Sequence, residues 1–260
     1  MRLGCSTIPF QNMPLGSSLR AIKDLGFCCV DLPIYTFREW CHVTPEDVRK
    51  DPAMALALID TAVTTSGIEI GMLLTATNAD SNQERGDFVA VCDLAVRLGV
   101  KMITVDPWFK DEWIERNRMK DFLHITNERK LTLCLETHPL GLSVDPEVAH
   151  RMVSETPGLR ITLDAANMLA HGHSPVTWIP LFPYVSHVHM KDAGHTPDRR
   201  QVPWGTGEMD PGFIISGLKR VKYDGIISID YTGPNPADSV KFDPIPEIVK
   251  AKADLEKLIA

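Results

Sequence analysis

Four short runs of the chain, LTLCLETH, RITLDAAN, SHVHMKDA and IISIDYTG, share one pattern of apolar and polar positions. Each alternates, and each closes on ionisable residues: Glu136, Asp164, the pair His189 and Lys191, and Asp230. A period of two is the signature of a strand with two different faces. Where the run closes on an acid, aliphatic residues stand one and three places before it: Leu135 and Leu133, Leu163 and Ile161, Ile229 and Ile227. The acid therefore faces away from them. In the remaining run His187, His189 and Lys191 share one face, and Val188 and Met190 take the other. Further apolar segments read as strands over 2–7, 27–32, 68–74 and 101–105, the last ending at Asp106. Helical periodicity covers SSLRAIKDLG and residues 52–67, 86–99, 111–130, 144–154, 211–221 and 244–259. Eight strand signals alternating with helices in 260 residues predict a closed (β/α)8 TIM barrel of the α/β class, one domain over 1–260. An open doubly wound sheet is the alternative, but no GxGxxG follows the first strand and no GxxxxGK[ST] occurs.

Composition changes this picture little. A hydrophobic content of 44% and a charged content of 23% suffice for a large core. The net charge of −7 argues against nucleic acid and anionic membrane as partners. No run approaches the roughly 18 apolar residues of a membrane span, and the start lacks a long apolar leader, so a cytoplasmic location is expected. The six cysteines lack metal-binding spacing and read as small buried thiols in a reducing compartment.

In a barrel all strand C-termini lie on one face, so Glu136, Asp164, His189 and Asp230 converge there. Three carboxylates and an imidazole form a ligand set for one divalent ion, with Mn²⁺, Mg²⁺, Co²⁺ and Zn²⁺ all compatible. Any one of the acids, taken alone, is equally a barrel-mouth residue bonded to an amide or a lysine. His187 lies deeper and reads as a core histidine bonded to a neighbour. Lys191 suits either an oxyanion or a salt bridge to Asp192 or Asp164. His138, on the face of Glu136, suits substrate oxygens or the orientation of that glutamate. Trp108, Trp204 and Tyr35 are candidates for a pocket wall, and the long connection 33–51 adds Phe37 and Trp40. Gly205 and Gly207 permit close backbone approach to a ligand, or form an ordinary turn. His171 and His173 read as an exposed helix cap.

CLETHP, LDAANM, HVHMKDA and VPWGTGEMD, in this order, resemble the xylose isomerase-like TIM-barrel superfamily of sugar isomerases, ketose 3-epimerases, hydroxypyruvate isomerases and related dehydratases. The likeness spans nearly the whole chain. It implies that Glu136 is both metal ligand and catalytic base, that Asp164 and His189 are ligands, and that Asp230 is ligand and partner acid. Asp230 stands where epimerases carry a second glutamate, Asn167 where many relatives have a substrate-touching histidine, and Asp31 where many have glutamate. His195 stands at the position of a substrate-binding arginine. The expected substrate-binding residues are His138, Asn167, Lys191, His195, Trp204 and Trp108. The expected activity is isomerisation or epimerisation of a small sugar, keto-sugar or hydroxy-keto acid, dependent on one divalent metal ion and passing through a stabilised enediolate. The alternative is a lyase or dehydratase eliminating β to a keto group, as in a keto-inositol or keto-glycoside. Families of this kind lead to the expectation of a homodimer or homotetramer. The related abasic-site endonucleases fit poorly, because residues 68–110 contain no histidine. A barrel without activity is the last alternative.

Overall fold

Eight parallel strands pair in chain order, and β8 returns to β1, closing the barrel. They are β1 (Arg2–Ser6), β2 (Cys29–Tyr35), β3 (Glu69–Ala76), β4 (Met102–Val105), β5 (Thr132–Glu136), β6 (Arg160–Asp164), β7 (Val185–Met190) and β8 (Ile226–Ile229). The helices are α1 (Leu15–Asp24), α2 (Pro45–Lys50), α3 (Pro52–Ser66), α4 (Glu84–Leu98), α5 (Glu112–Glu128), α6 (Pro146–Ser154), α7 (Ala165–Ala170), α8 (Pro211–Arg220) and α9 (Pro244–Ile259). This computed structural model describes residues 1–77, 82–233 and 241–260. Among them, no helix is long and apolar enough to cross a membrane.

Local chemistry sets the helix starts. Asp51, Asp145, Asp210 and Asp243 each precede a proline, and each carboxylate accepts a backbone N–H from the first helical turn. The aspartate satisfies an orphan donor, while the proline presets the helical φ where no N–H is required. Thr44 and Asp47 form a reciprocal capping box at α2.

The apolar core lies between strands and helices. Leu133, Leu135, Ile161, Leu163, Val188, Ile227 and Ile229 all belong to it and are buried. The barrel interior is of another kind. Thr104 and Thr162 meet across it with their hydroxyls 2.6 Å apart, and His187 Nε2 reaches across to Asp31 Oδ2 at 2.7 Å. Small and polar side chains thus fill a space that bulky aliphatics dominate in most such barrels.

The structure departs from the sequence reading at two elements. β2 continues through Pro33 to Tyr35, because the fixed φ of proline is compatible with extended backbone. The connection over 33–51 is partly helical, as its sequence suggests, with a 3-10 turn at Arg38–Trp40 followed by α2. Helix α7 carries no amphipathic period, since all of its residues are buried. His171 is its C-cap, with Nδ1 2.9 Å from Asn167 O. The six cysteines are free thiols, all buried except Cys28.

Candidate active site

The last four strands deliver the ionisable groups to one rim. Glu136 ends β5, Asp164 ends β6, His189 lies in β7 and Asp230 directly follows β8. One ligand atom from each of the four lies within 4.8 Å of every other. His189 Nδ1 is 3.2 Å from Glu136 Oε1 and 3.7 Å from Asp230 Oδ2. Its other nitrogen, Nε2, points down to Asp31 Oδ2 at 3.4 Å without a hydrogen bond. Asp31 also holds His187, whose ring stands edge-on to His189 with an interplanar angle of 88°. His187 is therefore the core histidine of the sequence reading, bonded to a buried carboxylate.

Asp164 is fixed from several sides. Its Oδ1 caps α7 by accepting from Asn167 N at 3.1 Å, and Oδ2 pairs with the Lys191 ammonium. The Thr137 hydroxyl accepts from Asp164 N and donates to Asp164 O. Lys191 thus makes one of the two salt bridges its sequence position suggested.

Burial penalises every charge here, and the neighbours decide the outcome. Burial pushes Glu136 up, but the charge and hydrogen bond of His189 prevail and lower it to about 2. For His189, burial is outweighed by the Asp230 and Glu136 charges, which hold the imidazole protonated well above its usual range. Burial also opposes the charge on Lys191, yet the Asp164 carboxylate keeps its pKa raised. His138 is pushed down to about 4, chiefly by burial, with Lys191 and Arg200 adding to the effect. It is neutral at pH 7.

A cavity of about 310 Å³ opens over the cluster. Its lining includes Glu136, Asp230, His138, Asn167, Lys191 and Trp108 from the sequence prediction, together with Tyr35, Phe37 and Trp40. Asn167 donates through Nδ2 to Thr137 O, which fixes its amide at the wall. His195 and Trp204 do not line this space. His195 is half exposed and pairs with Glu208 at 3.0 Å. The Trp204 indole donates to Asp254 on α9 at 3.1 Å, so its ring packs outward. The glycine loop also turns away from the cavity. Gly205 N and Gly207 N both donate to Asp192 Oδ2 at 2.8 Å, and a Cβ on Gly207 would lie 2.1 Å from Asp192 Oδ1. The close approach the glycines permit is to a side chain of this chain.

The lining contains groups that the sequence reading passed over: Asp106, Arg200, Gln201 and Thr232. Asp106 ends MITVD, with the same aliphatic spacing that marked the other acids. Burial, reinforced by the Glu136 charge beside it, raises its carboxyl well above the usual range. Its backbone is held by Arg118 on α5, a buried guanidinium that also pairs with Glu115 and Glu84 at 2.7 Å each.

Glu136 Oε2 and Asp230 Oδ1 are buried without a hydrogen-bond partner. Orphaned carboxylate oxygens cost free energy unless a cation or donor satisfies them. Together with Asp164 and His189 Nδ1 they match a hard divalent ion.

The sequence profile of the xylose isomerase-like TIM barrels matches residues 19–258. The chain belongs to this family. No curated protein is matched by sequence. Among solved structures of xylose isomerase-like relatives, the IOLI protein with a binding zinc atom is similar at 18% identity and a TM-score of 0.77, covering 100% of this chain and 98% of that one. L-ribulose 3-epimerase gives 14% identity and 0.75 over 99% and 94% of the two chains. The probable 3-DHS dehydratase AsbF from Bacillus anthracis, described as involved in petrobactin synthesis, gives 16% and 0.74 over 99% of each chain. At such identities the likeness establishes the xylose isomerase-like fold.

Proposed function

We propose that the chain is a divalent-metal-dependent isomerase or epimerase that removes a proton beside the carbonyl of a small sugar, keto-sugar or hydroxy-keto acid. The observation that carries this reading is the convergence of Glu136, Asp164, His189 and Asp230, two of them with buried oxygens lacking any partner, at the floor of a cavity. Two structural neighbours, L-ribulose 3-epimerase and the IOLI protein with a binding zinc atom, support it.

Glu136, Asp164, His189 and Asp230 would hold the ion, which when bound supplies Lewis-acid polarisation of a substrate carbonyl. Glu136 is ionised at neutral pH, and the carboxylate oxygen that the ion leaves free is the base that takes the proton. Asp230, which also lines the cavity, is the partner acid: it takes up a proton from solvent and delivers it to the substrate from its own strand end. Asn167 and Lys191 orient substrate oxygens, and Trp108 with Tyr35 covers the apolar side of the substrate. Asp106 favours a second reading, a dehydratase. Its carboxyl lines the cavity beside Glu136 and is placed to protonate a departing hydroxyl after the same first step.

The test is exchange of substrate C–H protons with D₂O over a panel of ketoses, keto-inositols and keto acids. Exchange should require a divalent ion and fall about 10³-fold in Glu136→Gln. Exchange that persists in this variant, or that proceeds without metal, would sink the assignment. Product analysis separates isomerase from dehydratase.

A further inference from the structure

A buried cation stands behind the cavity wall, outside the chemistry described above. The side chain of Arg118 on α5 is 5% exposed, and its guanidinium lies 4.8 Å from the centre of the Phe122 ring, which steadies its plane. Its donors point to acceptors within this chain. Nε donates to Glu84 Oε1 at 2.7 Å, and Nη1 donates to Glu115 Oε1 at 2.7 Å and to Asp106 O at 3.2 Å. Nη2 reaches Thr77 Oγ1 at 3.5 Å, and that hydroxyl donates in turn to Glu84 Oε1 at 3.0 Å. The fully buried Glu115 uses its other oxygen to accept from Phe109 N at 3.0 Å.

These bonds converge on one side of the cavity. Asp106 O and Phe109 N bracket Pro107 and Trp108, so both ends of the loop that brings Asp106 and Trp108 to the cavity are tied to a single ion pair. Thr77 follows Ala76, the lining residue at the end of β3. The loop after β5 rests in turn on Pro107: a Cβ on Gly141 would collide with the proline ring, and Leu140 beside it lines the cavity. Wall segments at the ends of β3, β4 and β5 thus all refer back to Arg118.

Buried charges of this kind contribute little net stability. Desolvation of the cation and its two carboxylates offsets their attraction, and apolar side chains of similar volume often hold a core at least as well. What apolar packing does not supply is direction. A planar fork fixes its acceptors at set angles, whereas an ammonium is a point charge without that geometry.

We infer that Arg118 is a positioning residue: together with Glu84 and Glu115 it sets where Asp106 and Trp108 stand in the cavity, and through them how the substrate is held against the carboxylate cluster. The bearing on substrate rests on the proposed function, whereas the placement of the two side chains stands apart from it. Removing the cation alone strands two carboxylates, so the role in placement shows only in variants that avoid this.

The experiment follows Trp108 directly, by fluorine NMR of the full chain labelled with fluorotryptophan. Trp108→Phe assigns its resonance among those of the five tryptophans. Two variants are compared with wild type. Arg118→Lys keeps the charge and loses the fork, and Arg118→Met combined with Glu84→Gln and Glu115→Gln removes all three charges and strands none. In both, the Trp108 resonance should shift or split while that of Trp178, fully buried in the segment 175–184, stays in place. For the keto compound of the panel that exchanges with D₂O, kcat/KM should fall by about tenfold to about 100-fold in Arg118→Lys, the loss that follows from a displacement of about 1 Å. A Trp108 resonance at its wild-type position and width in both variants would overturn the inference. So would turnover that stays at the wild-type level despite a displaced Trp108, or loss of the folded state in both variants, which would make the triad a folding element. Where one variant fails to fold, the other is read. If no keto compound exchanges even in the wild type, the proposed function fails, and the fluorine spectra still decide the placement.

Discussion

Asp31 does not line the cavity over the cluster, yet its removal should weaken metal binding. His189 presents Nδ1 to Glu136 and Asp230 and Nε2 to Asp31. For Nδ1 to donate a lone pair to an ion, the ring proton must sit on Nε2, where the Asp31 carboxylate 3.4 Å away stabilises it. Asp31 is itself ionised: burial opposes its charge, but His187 and His189 draw its pKa below the usual carboxylate range. Asp31→Asn keeps the shape and an acceptor for His187 but deletes the charge. Loss of such a partner costs about 10–100-fold in metal affinity. The 3.4 Å contact to His189 is longer than the 2.7 Å bond to His187, which places the expected loss near the lower bound, about tenfold or about 1.4 kcal/mol. Calorimetric titration with Mn²⁺ and Zn²⁺ measures it directly, with Glu136→Gln as the positive control. An Asp31→Asn protein that binds both ions within twofold of wild type, while Glu136→Gln does not, would refute the reasoning and leave Asp31 as a support for His187 alone.

Metal loading should release a proton from His189, whose pKa is raised in the metal-free site, so apparent affinity should rise by about tenfold per pH unit below that pKa. Titrations in buffers of different ionisation enthalpy check this, and heats that do not vary with buffer would contradict it. In the metal-free protein, Asp31 and Glu136 titrate below their unfolded values, so they add stability above about pH 4.5 that is lost on acidification, for Glu136 down to about 2. The His189 contribution has the opposite sign: it is full below about pH 6.5 and is lost as pH rises through the raised folded-state value; the denaturation midpoint, followed against pH, should fall on acidification through the carboxylate range. Arg118→Met strips a buried guanidinium from Glu84 and Glu115 and should cost about 3 kcal/mol in urea unfolding; a loss under 1 kcal/mol would show the pairs to be dispensable. Trp204→Phe loses only the bond to Asp254, so turnover should stay within about twofold of wild type; a KM that rises tenfold would return Trp204 to the substrate.

How much of this was legible beforehand varied with the kind of evidence each residue carried. Glu136, Asp164 and Asp230 announce themselves through aliphatic neighbours at fixed spacing, because a strand in a barrel has an outer face that must be greasy. Asp106 carries the same mark in MITVDP and was passed over, since strand spacing places an acid at the rim without saying what stands beside it. Linear position misled for His195. Its loop turns the imidazole outward to Glu208 and brings in Arg200, five places on, through contacts with Thr232 and Tyr231 that no local pattern encodes. Trp204 failed for the same reason, its partner Asp254 lying on the final helix. Helix α7 escaped because periodicity reveals a helix only when one side meets water.

The two concentric layers of the barrel have a consequence for how such a sequence can change over time. Aliphatic side chains that hold strands to helices lie outside the staves, whereas Asp31, His187, Thr104, Thr162 and Ser228 occupy the lumen. A replacement within the lumen edits the reaction centre and leaves the greasy mantle intact, so new chemistry can be sampled without first forfeiting the scaffold. A saturation-mutagenesis map of this chain should therefore separate radially, with abundance phenotypes dominating the mantle and losses of activity that exceed losses of abundance in the lumen.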